Sequence, residues 1–185
     1  MVALIWLWTL FPLLTDAEGA SAPAPPERLF PRGTRAFSLM PSYGGEKGGS
    51  NEAIGTLAFQ YGEYLLDDLA LHVDLVGYEL YDRRDSYAIG LDLGARYHFI
   101  TLERTSLFAG LAGGLFEGTG RFPDEGTHFN WTYQTDLGLT FELSRGFHLI
   151  GGARFKHVSN GFIKGRARNP ATNTYGGFFG FMITF

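Results

Sequence analysis

Strict alternation of apolar and polar side chains, repeated in one segment after another from residue 34, most constrains the fold of this chain. The clearest run has apolar side chains at every second position: Tyr87, Ile89, Leu91, Leu93, Ala95, Tyr97 and Phe99. Successive side chains of a β-strand point to opposite faces, so this period of two predicts strands with one apolar face. Eight strands are predicted, at about residues 34–43, 54–65, 68–78, 86–99, 105–116, 130–143, 147–158 and 173–185.

The lengths of these segments and of their links predict a closed membrane barrel. Each segment has about 10–14 residues, which is enough to cross a bilayer at the tilt of barrel strands. The links after the second, fourth and sixth segments are tight, whereas the others are longer and polar. Short turns at one end and long loops at the other are typical of outer-membrane barrels. We therefore predict an all-β fold, an eight-stranded antiparallel up-and-down transmembrane β-barrel over residues 34–185.

A soluble ligand-carrying barrel is the alternative architecture, and it would need an apolar interior and a polar exterior. In this chain the polar face of the alternation carries the charges Asp74, Asp92, Arg96, Asp136, Glu142, Arg154 and Lys156. The interior of an eight-stranded barrel is just wide enough for side chains to fill, so these charges can pair there. The 26 glycines and the 16% aromatic content also suit curved strands with interfacial aromatic girdles.

The first 20 residues are predicted to be an export signal, and residues 21–33 a flexible lead-in rich in Ala and Pro. The apolar run from Val2 to Leu14 is shorter than the roughly 20 residues that a membrane helix needs. Cleavage after Ala17 or Ala20 would fit, although no Lys or Arg precedes the run.

Composition excludes several classes of function. The chain has no cysteine, which excludes disulfides, thiolate metal sites and a cysteine nucleophile. Its net charge of −4 lacks the basic footprint of a nucleic-acid-binding protein. No His, Asp or Glu spacing suggests zinc, so we expect neither a metal nor an organic cofactor.

One polar run stands apart, His157-Val158-Ser159-Asn160-Gly161 at the end of the seventh predicted strand. His157 and Ser159 share the outward face with apolar side chains such as Phe155. A histidine can take the proton of a serine hydroxyl and so make it a nucleophile. Asn160 and the amides around Gly161 are nearby donors for an oxyanion. On an apolar outer wall this pair would suit a lipid ester. The plain alternative is a histidine of the interfacial belt followed by the start of a loop.

Together with a basic loop, Asn169-Pro170 and a closing strand, this run resembles the lipid A 3-O-deacylases of the PagL type. These are eight-stranded outer-membrane barrels with a serine-hydrolase site on the lipid-facing wall. The resemblance implies that His157 is the general base and Ser159 the nucleophile. It further implies that Asn160 is the oxyanion-hole asparagine and that Gly161 contributes a flanking backbone group.

The third catalytic member departs from the family pattern. The family has a glutamate shortly after its Asn-Pro, and counting from Asn169-Pro170 this chain has Asn173. Asn173 has outward parity and is expected to face His157 from the adjacent strand. An amide oxygen can orient an imidazole but cannot stabilise its positive charge. Asp136 and Glu142 could supply a charge, but their parity points inward.

The resemblance predicts an esterase that removes an acyl chain, at the 3-O position, from lipid A of lipopolysaccharide. If the N-terminus starts in the periplasm, the site lies toward the outer leaflet of a Gram-negative outer membrane, among its lipids. The loop cations Lys164, Arg166 and Arg168 would bind lipid A phosphates, or are simply solvated. A structural or adhesive barrel and a narrow transport barrel are the rival functions, and a homodimer is left open.

Overall fold

The alternation produces eight antiparallel strands that close into a barrel. The computed structural model describes residues 28–47, 52–163, 165 and 169–185. The strands are β1 Arg35–Glu46, β2 Ala53–Leu66, β3 Leu69–Tyr81, β4 Ser86–Thr101, β5 Thr105–Phe122, β6 Thr127–Ser144, β7 Phe147–Ser159 and β8 Ala171–Thr184. Each pairs with the next, and β1 pairs with β8. The predicted fold class is confirmed. Among the described residues, no helix is long and apolar enough to cross a membrane.

Strand lengths differ around the barrel. Strands β5 and β6 have 18 residues each, whereas β7 has 13. Because Trp131 of β6 lies opposite Ser159, the last residue of β7, the β5–β6 hairpin extends beyond β7 at that end. We call this end the Ser159 end and the other, where the tight turns lie, the turn end.

The outer face is apolar, as the alternation predicts. Large apolar side chains are exposed on every strand except β7, whose outward Phe147, Leu149 and Phe155 are half-buried; the most exposed include Leu93 at 69% and Leu137 at 61%. Burying such side chains in lipid is favourable, and because β1 pairs with β8 the closed sheet leaves no open strand edge toward the bilayer.

The inside of the barrel is layered. Near the turn end lies an apolar cluster around Phe30, Tyr64, Phe108, Ile150 and Met182. Near the Ser159 end lies a second cluster, around Ile54, Leu80, Phe116, Phe122 and Val158.

Paired charges fill the middle layer between these clusters. Arg154 Nε lies 2.9 Å from Asp136 Oδ1, and Lys156 Nζ lies 3.3 Å from Asp92 Oδ2. The Arg96 guanidinium donates to the side-chain oxygen of Gln60 at 2.7 Å. The charged groups of the middle layer are therefore paired, which is the arrangement expected of a barrel this narrow.

The segment before β1 closes the turn end. Phe30 is fully buried, with its ring 5.1 Å from that of Tyr64 and 4.1 Å from that of His98. Its carbonyl accepts a hydrogen bond from the N–H of Asp68, and the N–H of Arg32 donates to the carboxylate of Asp67. This short stretch of the predicted lead-in is thus part of the packed structure. The predicted export signal, residues 1–20, lies outside the described residues.

Candidate active site

The last residues of β7 place His157 and Ser159 on the outer wall. Both side chains are half-buried, whereas Val158 between them is fully buried inside the barrel. Two residues of rise along a strand separate their Cα atoms by roughly 6.6 Å. The shared outward face predicted from parity is what the structure shows.

Residues of the two neighbouring strands, β6 and β8, flank His157 and Ser159. His157 lies between Tyr133 on β6 and Asn173 on β8. In the next row, Ser159 lies between Trp131 on β6 and Ala171 on β8. The small side chain of Ala171 leaves Ser159 open on the β8 side, because it offers only a methyl group there.

Asn173 contacts the imidazole directly. Its Oδ1 lies 2.9 Å from His157 Nδ1. With the amide oxygen as acceptor, Nδ1 carries the hydrogen and Nε2 keeps its lone pair. The expected juxtaposition across β7 and β8 is present, and the resulting tautomer is the one that a general base for Ser159 needs.

The two acidic candidates lie elsewhere, as their parity predicts. Asp136 is held inside the barrel by Arg154, and Glu142 accepts a hydrogen bond from the N–H of Gly146 in a tight turn. Neither carboxylate is among the contacts of His157. The side chain that contacts the imidazole on the outer wall is therefore an uncharged amide.

A tight turn follows Ser159. The N–H of Ile163 donates to the carbonyl of Asn160 at 3.2 Å, and the two residues between them have positive φ, 62° for Gly161 and 65° for Phe162. A non-glycine residue rarely adopts this conformation. Holding a non-glycine residue such as Phe162 in this conformation costs about 1–3 kcal/mol, and such residues cluster at functional sites.

Asn160 stabilises this turn through hydrogen bonds on its buried side. Its side chain is buried, its Oδ1 accepts from the N–H of Phe162 at 3.1 Å, and its own N–H donates to Asn169 Oδ1 at 3.0 Å. Asn169 thereby ties the end of β7 to the start of β8. The oxyanion roles predicted for Asn160 and Gly161 stay predictions.

Gly161 is required by its neighbour as well as by its backbone angle. A Cβ added there would lie 2.8 Å from Cδ1 of Trp131, closer than real contacts allow. The indole therefore lies over the glycine and beside Ser159. Sequence reasoning assigned no role to Trp131 or Asn169, because their contacts follow from the register of β6 with β7 and from the path of the loop.

The cationic loop cannot be placed in the same way. Lys164, Arg166 and Arg168 lie outside the described residues, and their predicted phosphate contacts stay a prediction. Within the described part of the chain, no three His, Asp or Glu side chains come together as metal ligands.

Comparison with known proteins decides the family. The model of the lipid A 3-O-deacylase (PagL) family matches residues 47–182, nearly three quarters of the chain. The chain belongs to the PagL family. As a member, it is an outer-membrane β-barrel of the Gram-negative type, which confirms the predicted family and location. No curated protein sequence matches it.

Solved structures support the fold. Neisserial surface protein A aligns with TM-score 0.58 at 16% identity, covering 82% of this chain and 96% of its own. The N-terminal barrel of Pseudomonas aeruginosa OprF gives 0.58 at 15%, covering 83% and 98%. OprG of the same organism gives 0.55 at 9%, covering 86% and 99%. These likenesses concern architecture alone. The homodimer stays a prediction.

Proposed function

We propose that this PagL-family barrel is a serine esterase that removes the acyl chain ester-linked at the 3-position of lipid A. The observation that carries the proposal is the contact between His157 Nδ1 and Asn173 Oδ1 at 2.9 Å, on the outer wall and one row from Ser159. A histidine and serine facing the barrel interior could not contact a membrane lipid, whereas His157 and Ser159 lie on the lipid-facing wall.

The chemistry follows from the tautomer. His157 Nε2 accepts the proton of the Ser159 hydroxyl as Oγ attacks the ester carbonyl carbon. The ester C–O bond then breaks, the sugar 3-oxygen takes the proton from Nε2, and the acyl group stays on Oγ. Water, deprotonated by the same nitrogen, attacks the acyl carbonyl. The bond between the acyl carbon and Oγ then breaks, Oγ takes the proton back from Nε2, and the fatty acid leaves.

The barrel wall beside the pair suits an acyl chain. Toward the turn end from His157, the outward face of β6 to β8 continues with Phe155, Tyr175, Leu137 and Phe179. Tyr175 and Phe179 are each 55% exposed. An acyl chain lying in the membrane would run along this face while its ester stays at the level of Ser159, near the end of the strand.

The barrel interior opposes the transport alternative. Ion pairs between Asp136 and Arg154 and between Asp92 and Lys156 cross the middle layer, and Phe30 closes the turn end. A solute path would have to break these pairs, and breaking a buried pair is costly.

The test is the reaction itself. The refolded barrel and its Ser159→Ala variant are incubated with purified lipid A, and lipid masses and released fatty acid are read. Thr135→Ala is the matched control, because Thr135 also carries a hydroxyl on this wall, opposite Phe155. We expect loss of one 3-hydroxyacyl chain with the wild type and the control, and none with Ser159→Ala.

Two results would contradict the proposal. Release by Ser159→Ala at the wild-type rate would remove the nucleophile. Release by none of the folded proteins would favour a structural or adhesive barrel, for which His157→Ala and Ser159→Ala change nothing but stability.

The cationic loop adds a second test of the substrate. Neutralising Lys164, Arg166 and Arg168 together should weaken binding to bis-phosphorylated lipid A more than to a dephosphorylated form. Equal loss for both forms would remove the phosphate role.

A further inference from the structure

A second polar concavity opens at the Ser159 end, between the β3–β4 loop and the β5–β6 hairpin. Its volume is about 500 Å³, and its lining includes Arg84, Ser86, Thr119, Arg121, Asp124 and His128. It is separate from the catalytic pair. Thr119 lies two strands away from Ser159 and four residues beyond Leu115, the β5 residue in the same row as Ser159. Strand spacing and rise then separate Thr119 from Ser159 by roughly 16 Å.

Two arginines that line the concavity have no side-chain partner among the described residues. Arg84 and Arg121 are exposed, and within the described residues neither guanidinium forms an ion pair or a side-chain hydrogen bond. The nearby carboxylate of Asp124 is instead 3.4 Å from Arg83. A guanidinium is a planar fork of donors that matches the oxygens of a phosphate.

A buried hydroxyl points to a missing acceptor. Ser86 is 6% exposed, and its Oγ has no hydrogen-bond partner among the described residues. A Cβ added at Gly120 would lie 2.8 Å from the Ser86 Cβ, so the glycine backbone packs against this side chain and confines it. A buried, unpartnered hydroxyl is unfavourable, and an acceptor oxygen bound in the concavity would satisfy it.

His128 adds a polar group whose orientation is set. Its Nδ1 donates to the carbonyl of Gly118 at 3.0 Å, so Nε2 remains available to a ligand. Thr119 is already occupied, because its hydroxyl exchanges hydrogen bonds with the backbone of Tyr87. Among the described residues the groups left for an anion are therefore two guanidinium forks, one hydroxyl and an imidazole nitrogen that donates when the ring is protonated, while the carboxylate of Asp85 also lines the concavity.

We propose that this concavity binds a phosphate group of a glycolipid headgroup, with Arg84 and Arg121 on its oxygens and Ser86 donating to one of them. The Ser159 end is the one expected to face the outer leaflet, where phosphorylated saccharides lie beside the barrel. The proposal goes beyond deacylation, since it requires no reaction at Ser159.

The experiment uses the full barrel carrying Ser159→Ala, in dodecyl maltoside micelles so that no phosphate comes from the detergent. The amide signals of Ser86 and Gly120 are followed by NMR during titration with inorganic phosphate, bis-phosphorylated lipid A or dephosphorylated lipid A. We expect the bis-phosphorylated lipid to shift both signals and the dephosphorylated lipid to leave them unchanged.

Variants test the assigned groups. Arg84→Gln and Arg121→Gln should each weaken binding of the phosphorylated lipid about tenfold, the size of one charge-assisted hydrogen bond. Arg35→Gln is the control, because Arg35 is an exposed cation at the turn end. Ser86→Ala should weaken binding while leaving the unfolding midpoint of the empty barrel unchanged or higher, since it removes an unsatisfied group.

Three results would overturn the proposal. The two lipids could shift the signals equally, or Arg35→Gln could weaken binding as much as Arg84→Gln does. Inorganic phosphate could shift the signals while lipid A does not, which would make free phosphate the ligand. Because the barrel tested cannot turn over substrate, none of these results bears on the esterase test.

Discussion

Replacing Asn173 tests the orienting contact on which the esterase proposal depends. A neutral hydrogen bond contributes about 1 kcal/mol net, and one to a charged group about 1.5–3 kcal/mol. Asn173→Glu would place a carboxylate opposite the imidazole, which becomes positively charged in the transition state. The difference between the two bonds, about 0.5–2 kcal/mol, predicts a kcat roughly 2- to 30-fold higher. Asn173→Ala loses the contact of 2.9 Å and should lower kcat about fivefold.

The assay is fatty-acid release from lipid A, measured over a range of substrate concentrations. KM should change little, because Asn173 acts through His157 rather than on the lipid. Asn173→Gln is the matched control, since it has the reach of glutamate without the charge, and its kcat should not exceed that of the wild type. If Asn173→Glu abolishes turnover in a barrel shown to be folded, or Asn173→Ala leaves kcat unchanged, Asn173 is not the orienting residue.

Three further predictions concern the turn, the closed end and the loop before β2. Gly161→Ala should lower turnover more than Gly165→Ala, because both have positive φ but only Gly161 has Trp131 within reach of a Cβ; equal effects would remove the indole contact as the cause. Phe30→Ala should lower the free energy of unfolding by about 3 kcal/mol, as expected for a fully buried ring, with urea unfolding as the measure. Burial raises the pKa of the Glu52 carboxyl above its usual 4.5. The stability that Glu52 contributes is therefore present while the carboxyl is protonated and is lost as pH rises through the raised pKa. Glu52→Gln should therefore raise the unfolding midpoint at pH 7 and have less effect at pH 4; an equal effect at both values would contradict this.

The sequence predicts the barrel well because lipid imposes a simple rule. Most membrane-facing positions are apolar and the charged side chains in the middle of the strands point into the narrow interior, so alternation identifies both the strands and their faces. The same parity indicates that His157, Ser159 and Asn173 point outward together. It also indicates that Asp136 points inward, where Arg154 neutralises it.

Contacts that depend on register or on chain segments beyond the bilayer were not predictable in this way. Residues 117–122 of β5 continue the strand, but their outward side chains Glu117, Thr119 and Arg121 are polar, so the apolar face that predicts a strand is lost and the predicted strand ends at 116. The Trp131–Gly161 contact needs the pairing of β6 with β7. Leu29 and Phe30 are two adjacent apolar residues in a polar stretch, and no period of two marks Phe30 as buried.

Two features determine how water for hydrolysis could reach Ser159. The barrel interior is packed, and Ser159 is the last residue of β7. Ser159 faces outward, and behind it the described residues fill the barrel, with Phe30 at one end and paired charges across the middle. The apolar wall excludes water from the membrane side. If Ser159 forms the proposed acyl-enzyme, the water that hydrolyses it would come from the headgroup layer at the end of the strand.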